Sequence, residues 1–295
     1  METRGGVGGR IVSFAAFFAF LVKILPMIGF TRMTNDFFRY TLYKEFVVYK
    51  YNMENLIVYK SPYPKFRVGD KNDGGYVIVN LPDGYDSFFS GGIAGNIQFE
   101  EDFLRHYPGL VCHAFDGTIE KLPESRAQIT FHKKNLGSLN KEGLTNLHQE
   151  LAPYNNVFLK LDIEGHEFRL LPTFFPHIIG KVKQLVIEIH SPGDIHLHPD
   201  YFKGLQDIYH QDLWDLCKEL NKTHTLVHIH GNNGCDVHTV KGVLLPNVFE
   251  CTYIRNDFVG EKVYNDSPCP TSLDSPNLHW KPELRLAGWP YSTST

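Results

Sequence analysis

The amino-acid sequence predicts an α/β fold with a mostly parallel sheet. Strand-like and helix-like segments alternate along the chain, and several strand-like segments are continuous apolar runs of the kind that fill a sheet covered on both faces. The composition is that of an ordinary globular protein: 295 residues, 42% hydrophobic and 21% charged. That length permits one large domain with appendages or two small ones.

The elements follow in order. Arg4 and Arg10 precede "IVSFAAFFAFLVKILPMIGF", Ile11 to Phe30, a nearly apolar run interrupted by Lys23 and Pro26. A spanning helix needs about 20 mostly apolar residues. Residues 1–35 therefore read either as an uncleaved signal anchor that places the domain in a lumen, or as an amphipathic or core-packing helix of a cytoplasmic protein. With an anchor, the sequons at Asn221 and Asn265 would be usable. Residues 36–60 are aromatic-rich and read as a stem, 61–265 as the body, and 266–295 as a Pro/Ser-rich tail without a core of its own.

Within the body, "GYVIVNL" is β-branched and bounded by glycines. "DSFFSGGIAGN" is a short apolar run that breaks into glycines, and the helix candidate "IQFEEDFLRHY" follows it. "GLVCHAFD" and "AQITFHKKNL" read as strands, "LTNLHQELAPY" as a helix, and "VFLKLDI" as a strand again. "GHEFRLLPTFF" is helical as far as Pro172, and "VKQLVIEIH" is the next strand. "YFKGLQDIYHQDLWDLCKELNK" is the longest helix candidate. The last two strands, "HTLVHIHG" and "VFECTYIRND", have no helix between them and should form an antiparallel pair at the sheet edge.

The net charge of −4 gives no electrostatic case for a nucleic-acid partner. Five scattered cysteines without a CxxC point to buried free thiols, with no disulfide framework and no thiolate zinc site.

In open α/β sheets the ligand sits beyond the carboxyl ends of the strands. "SGGIAGN" supplies Gly91, Gly92, Gly95 and Asn96 at one strand end, where glycine lets the backbone turn tightly and approach a ligand. Asp116 ends the next strand, placed to accept hydrogen bonds from ribose hydroxyls of a nucleoside-containing cofactor. Alternation in "LKLDIEG" puts Lys160, Asp162 and Glu164 on one side, and "LVIEIH" does the same with Glu188 and His190. So many ionisable groups at two adjacent strand ends indicate a site, the plain alternative being a solvated sheet edge. His166 and Glu167 open the following helix and read as bystanders, Glu167 suiting the helix dipole.

The ordered series "KNDGGYVI", "SGGIAGNIQFE", "HAFDGT", "LKLDIEGHE", "VIEIH", "HIHGNN" and "FECTYIR" resembles the motifs of the FkbM-type methyltransferases from about Phe66 to Arg255. Ala94 departs from the family pattern, standing where a second glycine is common. The resemblance implies a Rossmann-like class I methyltransferase fold with a seven-stranded, mostly parallel sheet and an antiparallel edge strand. It also implies S-adenosylmethionine as cofactor and methyl transfer to a hydroxyl of a sugar, glycan or small molecule. Such a reaction needs positioning and a proton acceptor. Asp162 and His190 are the implied acceptors, Glu188 and Lys160 their supports, and Gly91, Gly92, Gly95, Asn96, Asp116 and Glu164 cofactor contacts. Asp73 and Gly74 would form a loop over cofactor or substrate, or else simply a hairpin turn. The pairs His196/His198 and His228/His230 raise a metal site as an alternative, against ordinary hydrogen-bonding histidines. Asn232 and Asn233 are expected on a substrate-side wall. Two other classes stay open: a membrane-tethered binding or scaffold protein on a catalytically silent methyltransferase fold, and a nicotinamide-dependent oxidoreductase, disfavoured by the missing GxGxxG.

Overall fold

The computed structural model describes residues 53–240 and 242–294. The apolar segment 11–30 and the stem before Met53 lie outside the described residues. Among the described residues no helix is long and apolar enough to cross a membrane.

A 3-10 turn at Met53–Leu56 leads into a hairpin of β1 (Lys65–Val68) and β2 (Tyr76–Val79). The main sheet starts with β3 (Ser87–Gly91), followed by α1 (Gln98–His106), β4 (Cys112–Phe115) and β5 (Ile129–His132). Two short strands, β6 (Asn135–Leu136) and β7 (Leu144–Thr145), precede α2 (His148–Leu151). Then come β8 (Val157–Leu161), α3 (Glu167–Leu170), β9 (Val182–His190), α4 (Pro192–Leu197) and α5 (His210–Thr223). The chain closes with β10 (His224–Gly231), the small hairpin β11 (Val237–Val240) and β12 (Val243–Pro246), and β13 (Val248–Arg255).

The seven-stranded sheet has the order β10-β13-β9-β8-β3-β4-β5. Every pairing is parallel except those of β13, which runs antiparallel to both β9 and β10. The two last strands form the expected antiparallel pair at the edge, and the reversed strand is its inner member. Order reverses between β3 and β8, where β3 pairs with β4 on one side and with β8 on the other. This is a Rossmann-like sheet with class I methyltransferase topology, and its ligand-binding crevice belongs at that reversal.

Both sheet faces are covered. On one, Phe88, Ala114, Phe158 and Val186 meet Phe99, Phe103 and Leu104 of α1 and Tyr76 and Ile78 of the hairpin. On the other, Leu159, Leu161, Leu185 and Ile187 meet Leu213, Trp214, Leu216 and Leu220 of α5. Leu213, Leu216, Cys217 and Leu220 of α5 fall at i, i+3, i+4 and i+7 and make one apolar stripe. The helix begins at His210, not Tyr201, because a capping box at Tyr209 and Asp212 starts it there.

"GYVIVNL" forms a strand outside the main sheet, in the hairpin that crosses its face. Gln184 of β9 fixes this placement: its side-chain amide accepts from Val79 N at 2.7 Å and donates to Val79 O at 2.9 Å, as a strand neighbour would. The helical pattern in "LTNLHQELAPY" yields one turn, α2. Residues from Asp266 onward supply Cys269, Leu286 and Tyr291 to the main core and form no separate layer. All five cysteines are free thiols, four of them buried.

Candidate functional site

The strand ends converge as their spacing predicts. β3 passes through Gly91 into a turn whose tightness is set by Gly92, at φ +81. A side-chain carbon on Gly92 would fall 1.7 Å from the Asp162 carbonyl oxygen, so the two loops touch backbone to backbone. Gly92 N donates to Phe115 O and Asp162 N to Gly91 O, each at 3.0 Å, tying the three strand ends together. Lys160 is buried, and its Nζ donates to Gly92 O at 2.7 Å while standing 3.7 Å from the Asp162 carboxylate. Lys160 therefore pins the glycine turn. Glu100 of α1, which the sequence reading passed over, is also buried and accepts from Ser90 Oγ at 2.5 Å. Burial pushes its carboxyl up, and the Lys160 charge opposes that.

Asp116 lies at the end of β4, beside the glycine turn. Its Oδ2 accepts from Ile93 N (3.1 Å) and Ala94 N (2.8 Å), and its Oδ1 from Thr118 N (2.7 Å) and Thr118 Oγ1 (2.6 Å). Burial alone would push this carboxyl up, but the four donors outweigh it and hold Asp116 below its ordinary value. Four donors match the lone-pair capacity of a carboxylate, so Asp116 first of all holds the loop. A ribose hydroxyl would bind there by exchange with the Thr118 hydroxyl, the one rotatable donor. Gly95 and Asn96 are exposed, and nothing stands within 4 Å of the position of a Gly95 side chain. Asn96 bonds Asp70 Oδ2 at 2.6 Å.

Asp162 and Glu188 lie on adjacent strands. Tyr76 Oη donates to Asp162 Oδ2 at 2.9 Å. Burial pushes both carboxyls up. In Asp162 the Lys160 charge and donors from Glu188 and Tyr76 reverse that, whereas in Glu188 the Asp162 charge adds to it. The two carboxyls are thus driven apart, Asp162 downward and Glu188 upward. In the sequence Tyr76 is one residue of the β-branched strand "GYVIVNL", and local pattern does not place its hydroxyl.

His190 Nδ1 bonds Asp194 Oδ2 at 2.8 Å, and Nε2 is 3.2 Å from Glu164 Oε2, an ion-pair contact off the hydrogen-bond line. Burial would lower this imidazole, but Asp194 and Glu164 outweigh it and push His190 up to about 11. A histidine held as the imidazolium is a donor and a positive charge, which does not suit the proton-acceptor role expected for it. Asp194 comes from α4, a short helix outside the strand-end pattern, so alternation along β9 does not indicate it. Glu164 has left the strand: its φ is +55, an uncommon conformation for a non-glycine residue, so strand alternation does not extend to it. Glu167, expected as a bystander, is fully buried; its Oε1 accepts from Ile163 N at 2.7 Å and secures this turn. His166 is exposed, as expected.

Asp73 and Gly74 fall in the β1–β2 hairpin turn, and Asp73 Oδ1 accepts from Asn277 Nδ2 at 3.1 Å. Asn232 Nδ2 donates to Glu188 Oε1 at 3.1 Å, while the buried Asn233 anchors the chain at Leu278 and Lys281. His228 bonds Asp274 at 2.8 Å, and His230 stands between Glu250 and Glu283, 3.2 Å from each. These histidines pair with acids. Among the described residues no group of three or more His, Cys, Asp or Glu is placed to hold a metal ion.

No family model and no curated protein matches the chain. Among solved structures it is similar to the plantazolicin methyltransferase BpumL in complex with a monoazolic desmethylPZN analogue and SAH, at 13% identity and TM-score 0.33, over 58% of this chain and 76% of that one. It is also similar to the fibrillarin pre-rRNA processing protein of Methanococcus jannaschii, at 11% identity and TM-score 0.31, over 57% and 66% of the two chains. TrmN from Thermus thermophilus aligns at 11% identity and TM-score 0.27, over 57% of this chain and 43% of its own.

Proposed function

We propose that the chain is an S-adenosylmethionine-dependent O-methyltransferase acting on a hydroxyl of a sugar, glycan or small molecule, as its FkbM-type motifs imply. The observation that carries this reading is the meeting, at the reversal of strand order, of the Gly91–Gly92 turn, Asp116 and Asp162. The residues present fit the cofactor. The exposed Gly95–Asn96 stretch gives it backbone access, Asp116 a ribose acceptor by exchange at Thr118, and Asp162 and Glu164 negative charge for a sulfonium and an ammonium. Asp73 and Gly74 would close over it from the hairpin turn. When bound, the cofactor supplies an electrophilic methyl group.

Asp162 takes the proton of the acceptor hydroxyl, being the member of its pair that is driven downward. Glu188 stays protonated beside it, Lys160 keeps the glycine turn in register, and the His190 cation positions Glu164. Calorimetric titration with S-adenosylmethionine and S-adenosylhomocysteine tests the reading. Micromolar binding that weakens in Asp116→Ala is expected. Turnover against a panel of glycan and small-molecule hydroxyls should then be lost in Asp162→Asn with cofactor affinity retained. No binding of either compound would overturn the proposal.

The saturated Asp116 carboxylate favours one second reading, a catalytically silent methyltransferase fold used as a binding protein. The same titration separates the two, since a silent fold would bind neither compound.

A further inference from the structure

Two carboxylates act on the buried Lys160 ammonium, Asp162 in the crevice and Glu100 of α1. Phe158 and Lys160 alternate on β8 as Phe88 and Ser90 do on β3, and Ser90 is the register partner of Lys160. Phe88 and Phe158 pack on α1, so the Ser90 and Lys160 side chains leave the sheet on that face too. Glu100 lies in the first turn of α1, 1% exposed, and accepts from Ser90 Oγ at 2.5 Å. That length is typical of a hydroxyl donating to a carboxylate. Lys160 Nζ makes a full hydrogen bond to Gly92 O at 2.7 Å, yet stops 3.7 Å from Asp162 Oδ2, too far for a second one. A buried ammonium has three donors and gains by closing on a carboxylate. Here it stays off Asp162, whose Oδ2 accepts from Tyr76 Oη instead.

We infer that Glu100 is a positioning residue of the crevice: bonded to Ser90, its carboxylate draws the Lys160 ammonium toward α1, so that Lys160 stays on Gly92 O and Asp162 keeps an open face for the proton of an acceptor. The other groups that face Lys160 do not supply this counter-charge. Tyr76 of β2 presents its ring, with Nζ 5.8 Å from the centroid. The Cys112 thiol of β4 is pushed well up by burial, and Glu188 of β9 is driven up by burial and then by Asp162. Burial raises Glu100 as well, and the Lys160 charge is the largest influence against that rise. The plain alternative is that Glu100 only fastens α1 to β3 through the Ser90 hydroxyl. The consequence for proton transfer rests on the methyltransferase reading; the charge arrangement does not.

Two variants of the full chain separate positioning from fastening. Glu100→Gln keeps an oxygen for Ser90 and removes the charge, whereas Glu100→Asp keeps the charge and shortens the reach to Ser90. Positioning makes Gln the damaging change, and fastening makes it Asp. Calorimetric titration with S-adenosylhomocysteine should show about tenfold weaker binding in Glu100→Gln, because the charged donor on the glycine turn is lost, and a change under about threefold in Glu100→Asp. Carbon-13 NMR titration of the aspartate carboxyls, without cofactor and with Asp162 assigned by Asp162→Asn, reads the same arrangement directly. The Asp162 midpoint should move to lower pH in Glu100→Gln, as Lys160 closes on it and the Glu100 charge no longer repels it, and should stay in place in Glu100→Asp. An unmoved Asp162 midpoint in Glu100→Gln, or a larger loss in Glu100→Asp, would overturn the inference. Thermal melts check folding: a chain that folds with Asp and not with Gln counts for the charge, and the reverse counts against it. If the parent binds no S-adenosylhomocysteine, the methyltransferase reading alone fails, and the carboxyl titration still decides the role of Glu100.

Discussion

Gly92→Ala probes the point where the fold and the site depend on the same atoms. The new methyl carbon would sit 1.7 Å from the Asp162 carbonyl oxygen, where contacts of that kind do not fall under 3.0 Å. Neither partner is a side chain that can rotate away, so one backbone must move. Holding alanine at φ +81 costs roughly 1–2 kcal/mol, and relieving the overlap about 1–3 kcal/mol more. We expect a loss of about 3 kcal/mol, which for a domain of this size lowers the melting temperature by roughly 6–12 °C. The displaced Asp162 backbone also shifts the carboxylate away from Tyr76, so cofactor affinity should fall with stability. Gly95→Ala is the control: no atom stands within 4 Å of the new carbon, and stability should change by less than ~0.5 kcal/mol. The assay is thermal and urea unfolding of the three proteins side by side. A Gly92→Ala melt within about 2 °C of the parent would refute the backbone-contact reasoning.

Three further outcomes are expected. His190 rises from 6.5 unfolded to about 11 folded, so its contribution is complete below pH 6.5 and is lost as pH climbs toward 11; His190→Gln should flatten the fall in stability across that window. A parallel pH dependence in the variant would contradict the ion-pair assignment. Glu167 is raised by burial from 4.5 to about 7, so the folded state loses stability as pH rises through that range. Glu167→Gln keeps an oxygen for Ile163 N and should melt progressively higher relative to the parent between pH 4.5 and 8; no relative gain would show that the buried charge is compensated. Leu286→Ala, in the C-terminal segment, should cost about 2–5 kcal/mol because the side chain is fully buried in the main core. A loosely attached tail would lose less than ~0.5 kcal/mol, measurable by urea unfolding.

Much of the site was legible because strand ends in an α/β sheet are local features. Continuous apolar runs identified β8 and β9, and period-two alternation put Lys160 and Asp162 on one side of β8 and Glu188 and His190 on one side of β9. The charge state of those groups was not legible. His190 looked like a base, but Asp194 of the following short helix and Glu164 push it up to about 11. Glu167 looked like a bystander suited to the helix dipole and is buried, because the Glu164–Gly165 turn brings it under Ile163.

The sequence by itself determined the class of fold, the glycine turn at the end of β3 and the acid at the end of β4, since periodicity, spacing and residue type all act within a few residues. Only the tertiary structure decided which acids meet, that β1 and β2 lie across the sheet face instead of within it, and that residues 266–294 complete the core. Those outcomes depend on contacts between residues far apart in the chain, such as Gln184 with Val79 and Asn277 with both Asp73 and Glu250. Burial and opposing charge set protonation there, and neither can be computed from neighbours along the backbone.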